Sequence, residues 1–467
     1  MFKKITQLTF ISLVFFGMSG CGGGESSSLL PSSAPYQVGY VGANVYASLT
    51  ATGSQSKPLF DAADAVAGSS SKCDVQLLRM SYATRGGAGE ATTSSGVIML
   101  PTGSSANCSG KRPTLLYAHG TSSDSRYDLS QLLADSANPA ASEAVILLAL
   151  YASRGYIVIA PNYAGYADSS LGYHPYIDEA QQVGEMQDAL AHVQEYSTAL
   201  GINMSPDLFV SGLSQGGYVA MATHKALQAK GVPVRASVPI SGPYAMLNFL
   251  DTIMTGYVNG GATLFAPMYL TALEKSHDIY TVASEVYSTD FAATAETALP
   301  RAGGHTAAVT SGLLPATAIF SGIAPALPGI QPFQQAGFGS PHLLSDAFRT
   351  AYLADAVANP SNPVNEVRAL VKDADLRDPW TPTAPLMMCG SQNDPVVYFT
   401  NTQNMVSHWK GVPSVLTLNL DAPPAGPFAA VATQWQVAGI SGADIHGQTG
   451  VYCGLAAYGL FQSRRTQ

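Results

Sequence analysis

Asp207-Leu208-Phe209-Val210-Ser211-Gly212-Leu213-Ser214-Gln215-Gly216-Gly217 runs from an apolar stretch into a serine bracketed by glycines. Residues 207–211 have the length and composition of a buried strand. Residues 218–227 carry apolar side chains at helical spacing. A serine on so sharp a strand-to-helix turn needs glycines on both sides, because the backbone is strained and packs closely on its neighbours. The turn lifts the hydroxyl out of the sheet and above the N-terminus of the following helix, where developing negative charge is stabilised.

Outward from this turn, residues 113–118, 156–160 and 234–240 read as further buried strands, and residues 143–153 and 179–200 as helices. The alternation predicts an α/β fold, a mostly parallel central sheet flanked by helices. In such sheets ligands sit beyond the carboxyl ends of the strands. His119, Tyr163, Ser214 and Ser241 each lie just past a strand end and are expected to share one rim. Upstream, residues 75–83 and 96–100 form an apparent hairpin joined through Arg85-Gly86-Gly87-Ala88-Gly89. From 245 to 379 the rhythm breaks into a stretch rich in Ala, Gly, Pro and aromatics, with helical pieces such as 345–358. This segment reads as a cap inserted between the sixth and seventh strands, leaving 36–244 and 380–467 as the core. The regular pattern returns with a strand at 385–390, a helix at 400–410 and a strand at 414–420. A loop then carries Asp444-Ile445-His446-Gly447, before a final helix to about Phe461.

With 467 residues, 46% hydrophobic and 11% charged, the chain can bury one large core with a sizeable insertion. A net charge of −9 at low charge density argues against nucleic acid as a partner. At the N-terminus, Lys3 and Lys4 precede an apolar run at 5–16 that is too short to span a bilayer. Met18-Ser19-Gly20-Cys21 follows, then Gly22-Gly23-Gly24. This segment resembles a bacterial lipobox. The resemblance implies a signal peptide at 1–20 and a membrane anchor through lipidated Cys21. Gly22, in place of Asp, further implies sorting to an outer membrane. Residues 21–35 read as a flexible tether. Four cysteines remain: Cys73, Cys108, Cys389 and Cys453. An exported chain with an even remainder favours disulfides, and three pairings are possible. Cys73–Cys108 is favoured because it brackets the hairpin. Cys389–Cys453 then ties a late strand to the C-terminal region. No spacing suggests a metal site, and no cofactor is indicated.

A serine hydroxyl becomes a nucleophile when a base takes its proton, and the base needs a carboxylate to fix its tautomer. On this kind of sheet the partners follow in the order Ser, acid, His. Asp394 lies just past a strand end, with Asp421 as the runner-up; Asp373, Asp375 and Asp378 lie in a stretch that reads as solvated. His408 and His446 are the histidines beyond Asp394. His408 falls inside a helical run beside Trp409, so His446 is the expected base. The oxyanion needs two backbone donors. One is expected from Gln215, the other from Thr121 or Gly120 in the His119-Gly120-Thr121 turn. Tyr163 and Tyr244 are candidate pocket residues.

These motifs, together with the Pro161-Asn162-Tyr163-Ala164-Gly165-Tyr166 turn, resemble the secreted lipase and esterase branch of the α/β-hydrolases over residues 75–245 and 380–463. The resemblance implies a serine carboxylic-ester hydrolase acting on a small-molecule or lipid ester. In that family the serine attacks an ester carbonyl, the histidine shuttles the proton, and water frees the acyl enzyme. Two other readings stand beside it: a prolyl-oligopeptidase-type serine peptidase, and a non-catalytic surface lipoprotein that keeps the fold for binding.

Overall fold

The computed structural model describes residues 32–54, 56–67, 72–133 and 137–466. The lipobox, Cys21 and most of the expected tether lie outside these residues. The strands are β1 (Ser33–Val41), β2 (Asp74–Arg85), β3 (Ala91–Thr102), β4 (Arg112–Ala118), β5 (Ile157–Pro161), β6 (Met204–Leu213), β7 (Ala236–Ile240), β8 (Leu386–Gly390) and β9 (Val415–Asn419). Among the described residues they form one nine-stranded sheet in the order β1-β2-β3-β5-β4-β6-β7-β8-β9. Pairing is antiparallel from β1 through β3 to β5 and parallel from β5 onward.

The middle strands are mostly apolar because helices cover them. Every residue of β4, β5, β7 and β8 is buried, as expected of parallel strands covered on both faces. The helices Glu179–Tyr196, Gln215–Ala229 and Asp444–Arg464 pack on the sheet. Parallel pairing sets Ala118 opposite Gly212, so the turn after β4 emerges beside the serine turn after β6.

The sheet has one strand more than the sequence pattern suggests, because residues 33–41 form an edge strand. The tether reading of 33–35 gives way to that strand. The inserted segment accordingly follows the seventh strand rather than the sixth. Between β7 and β8 it contributes the helices Met246–Thr255, Ala262–His277, Gly304–Thr310, Asp346–Ala358 and Glu366–Asp373. Three of these meet at Arg368, whose side chain is fully buried. Its guanidinium donates to both carboxylate oxygens of Asp251 at 2.9 Å and to Asp355 at 3.1 Å. The carbonyls of Asn359 and Pro360 take further bonds.

An arm of the same segment reaches the turn after β4. Arg301 N donates to Ser123 O at 3.0 Å, and Ser125 N to Arg301 O at 3.2 Å. Gly303 N donates to Asp124 Oδ2 at 3.1 Å, and His305 N to Ser123 Oγ at 2.9 Å.

Both favoured disulfides are present. Cys73–Cys108 joins the entry of β2 to the turn between β3 and β4, and Cys389–Cys453 joins β8 to the final helix. Disulfides place the folded chain in an oxidising compartment. No helix among the described residues is long and apolar enough to cross a membrane.

Candidate active site

The serine turn is dictated by crowding. A methyl group on Gly212 would strike the carbonyls of Gly216 and Ala118, and one on Gly216 those of Ala118 and His119. A methyl on Gly217 would strike the carbonyl of Ile240. Ser214 itself holds φ 60° and ψ −120°, outside the regions open to most side chains. Its amide donates to Ile240 O at 2.9 Å, and its carbonyl accepts from Gly217 N and Tyr218 N. The hydroxyl therefore stands at the head of the helix Gln215–Ala229.

Asp394 lies in the turn after β8 with its side chain 1% exposed. Its Oδ1 accepts from the amides of Val396 at 2.9 Å and Val397 at 3.1 Å. Its Oδ2 accepts from His446 Nδ1 at 2.7 Å. That bond places the proton on Nδ1 and leaves a lone pair on Nε2, which is buried without a hydrogen-bond partner among the described residues. Ser214 and His446 line the same cavity.

His446 sits in the first turn of the helix Asp444–Arg464, not in a loop. Gly450 of this helix serves close packing: a Cβ on it would lie 2.7 Å from Leu213 Cδ2, one residue before the serine, whereas a Cβ on Gly447 would meet open space. Ser241 Oγ donates to Thr449 Oγ1 at 3.0 Å, and Thr449 Oγ1 to His446 O at 2.6 Å. The end of β7 thus braces the turn that carries the imidazole. Asp421 accepts from Ser391 Oγ, Asn393 N and Trp435 Nε1, so it buttresses the Asp394 turn and meets no histidine. His408 is exposed and bonded to Asp378 O.

Of the expected oxyanion donors, the amides of Thr121 and Gln215 have no partner among the described residues. Gly120 departs from the expectation: its amide donates to Glu143 Oε1 at 3.0 Å. Glu143 also accepts from Tyr117 and Tyr127, both at 2.7 Å, and so pins the loop that presents Thr121.

Sequence comparison matches residues 144–261 to the model of the prolyl oligopeptidase family. No curated protein matches by sequence. Three solved structures align over most of the chain. The rice cell wall degrading esterase LipA from Xanthomonas oryzae, in a ligand-bound form, is 24% identical, with a TM-score of 0.71, covering 93% of this chain and 99% of its own. A protein of Legionella pneumophila is 17% identical, with a TM-score of 0.69, over 93% and 98%. Candida antarctica lipase A is 13% identical, with a TM-score of 0.50, over 82% and 86%. The chain has the α/β-hydrolase fold.

Within this fold, Tyr163 and Tyr244 are not where the sequence suggests. Both are fully buried. Tyr163 stacks on His119 at 4.1 Å between ring centres and donates to His119 O. Tyr244 packs against Gly242. Neither lines a cavity at the serine. Two cavities do meet there. One, of about 110 Å³, runs under the cap and is almost wholly apolar, with Tyr176, Met246, Phe249, Phe265 and Tyr269 among its walls. The other, of about 580 Å³, is open and more polar, and contains His446.

Behind the turn, the side-chain amide of Gln215 donates to His174 Nε2 at 2.6 Å, while His174 Nδ1 donates to Ala164 O at 2.9 Å. Burial pushes the His174 pKa down to about 3, so the ring stays neutral and holds Gln215 in place. Nothing in the sequence marked Tyr176, Phe265, His174 or Glu143, because each acts through neighbours remote along the chain.

Proposed function

We propose that the protein is a serine carboxylic-ester hydrolase, an esterase or lipase, in which Ser214 is the nucleophile, His446 the base and Asp394 the orienting acid. The observation that carries this reading is the partnerless, buried Nε2 of His446. Its ring is tied through Nδ1 to a buried carboxylate and lines the cavity that holds Ser214. In this mechanism Ser214 Oγ attacks the ester carbonyl as Nε2 takes its proton, and Asp394 stabilises the imidazolium. The amides of Gln215 and Thr121 hold the tetrahedral oxyanion. Collapse passes the proton to the departing alcohol, and water, activated by the same imidazole, frees the acid. The apolar slot under the cap takes the acyl chain.

A fluorophosphonate probe is expected to label the protein, and Ser214→Ala to lose the label. The match to the prolyl oligopeptidase family favours a second reading, peptidase chemistry. p-Nitrophenyl acyl esters of graded length, assayed beside aminoacyl-proline amides, separate the two. Turnover of the amides alone would replace the esterase reading. Absence of labelling and of turnover would favour a binding protein that keeps the fold.

The proposal extends to location: Cys21 carries lipid and anchors the enzyme in the cell envelope, at an outer membrane. The lipobox-like segment and the two disulfides support this. Cys21→Ala is expected to move the protein from the membrane to the soluble fraction.

A further inference from the structure

One short segment reaches both residues whose amides the proposed mechanism assigns to the oxyanion. His174-Pro175-Tyr176 lies between β5 and the helix Glu179–Tyr196. At one end, His174 Nδ1 faces Ala164 O at 2.9 Å. A carbonyl only accepts, so the proton is on Nδ1 and Nε2 keeps a lone pair. Nε2 therefore accepts from the side-chain amide of Gln215 at 2.6 Å. At the other end, Tyr176 Oη and Thr121 Oγ1 share a hydrogen bond of 2.9 Å. The side chains of Gln215 and Thr121 are thus tied to the same three residues, while their backbone N–H groups have no partner among the described residues.

The segment is built stiff. Tyr176 N donates to His174 O at 2.7 Å, and Asp178 N to Pro175 O at 3.3 Å. Pro175 has a fixed φ. Ile177 holds φ 58°, a left-handed value that a β-branched residue adopts only under constraint. His174, Tyr176 and Ile177 are all buried. The His174 ring also stacks on Tyr163, at 5.5 Å between ring centres and 13° between planes. Backbone strain held in place by such packing gathers at sites where geometry matters.

Holding these side chains holds the amides. Thr121 is β-branched and stiff about χ1, so fixing its Oγ1 orients its backbone. Gln215 follows Ser214, which is strained at φ 60° and ψ −120°, and the peptide between them can relieve that strain by turning. An anchor on the Gln215 side chain resists the turn.

We infer that His174 and Tyr176 are positioning residues that set the distance and angle between the amides of Gln215 and Thr121, so that both meet one developing oxyanion. The inference rests on the esterase reading and adds to it the part that keeps the oxyanion site in register before substrate arrives.

Three variants cut the ties and keep the amides: Tyr176→Phe and Thr121→Val at one end, Gln215→Met at the other. Each is assayed on p-nitrophenyl esters from acetate to octanoate, with rates divided by the concentration of sites titrated with a fluorophosphonate. kcat per titrated site is expected to fall about fivefold, the size of a single neutral hydrogen bond. KM should change little, and the factor should be the same at every chain length. Affinity for an aryl trifluoromethyl ketone, whose hemiketal carries the oxyanion, should weaken by that factor. Tyr176→Phe and Thr121→Val remove one bond from its two sides, so the double variant should be no slower than either single one. Fewer titrated sites at unchanged kcat per site would show a role in folding alone and overturn the inference. A loss confined to long acyl chains would make Tyr176 a slot wall alone and overturn it too. Gln215→Met lies outside that wall's chemistry and decides by itself if the variants at the other end do not fold. A labelled, active wild type whose variants keep full kcat removes this inference and leaves the esterase reading standing. A wild type that neither labels nor turns over an ester removes both.

Discussion

Ser214 pays for its position in backbone strain. A non-glycine residue held in such a region costs about 1–3 kcal/mol. Ser214→Gly is therefore expected to raise the thermal midpoint while abolishing activity, which calorimetry beside an ester assay would show. Gly212→Ala is expected to do the reverse, lowering stability by about 2 kcal/mol or more in a denaturant titration, because its methyl meets two carbonyls. Asp394→Asn keeps the shape of the acid and loses its charge; kcat is expected to drop about a thousandfold or more, with KM little changed. His174 gives a pH signature. Unfolded, it binds a proton below about pH 6.5; folded, it does not until about pH 3. Between these values the unfolded chain holds more protons, so stability is complete above the upper limit and lost as pH falls toward the lower. His224, pushed down to about 4 by burial, acts in the same direction. Thermal midpoints measured from pH 7 to pH 4 should fall, and His174→Gln should flatten the slope.

At the level of elements, strand and helix periodicity made the middle of the sheet legible, because residues 113–118, 156–160 and 207–211 are buried whatever surrounds them. The serine turn was legible because its glycines crowd around one serine between a strand and a helix, although the carbonyls of Ala118, His119 and Ile240 that demand them lie far along the chain. The edge strand β1 was not, since Tyr36 and Tyr40 are exposed and show no apolar run. The turn carrying His446 was read as a loop because Gly447 follows the histidine, yet the helix starts at Asp444 and runs through it. Gly120 and Thr121 could not be separated from sequence, because Glu143, remote from the turn, decides which amide is taken. The disulfide Cys389–Cys453 links the two elements that carry Asp394 and His446, across 64 residues of chain. A loop of that length contributes about 4 kcal/mol by chain entropy. Its removal by Cys453→Ala is expected to lower both the melting temperature and kcat. Loss of Cys73–Cys108, at the far end of β2, is expected to lower melting alone.

At the scale of the whole molecule, Arg368 fastens three helices of the segment between β7 and β8 to one another. Arg368→Met would leave Asp251 and Asp355 without their cation. Activity on long acyl esters is expected to fall more than on acetate, since the cap forms the slot and the core holds the serine. The clasp between residues 301–305 and 123–125 has a wider consequence. Thr121, the proposed oxyanion donor, stands two residues before the rung at Ser123, so under the proposed mechanism a shift of residues 301–305 would reach the loop that presents its amide. On the proposed mechanism, a covering segment so tied to the loop of Thr121 is expected to give plain hyperbolic kinetics, without a surge of rate when the substrate gathers into droplets.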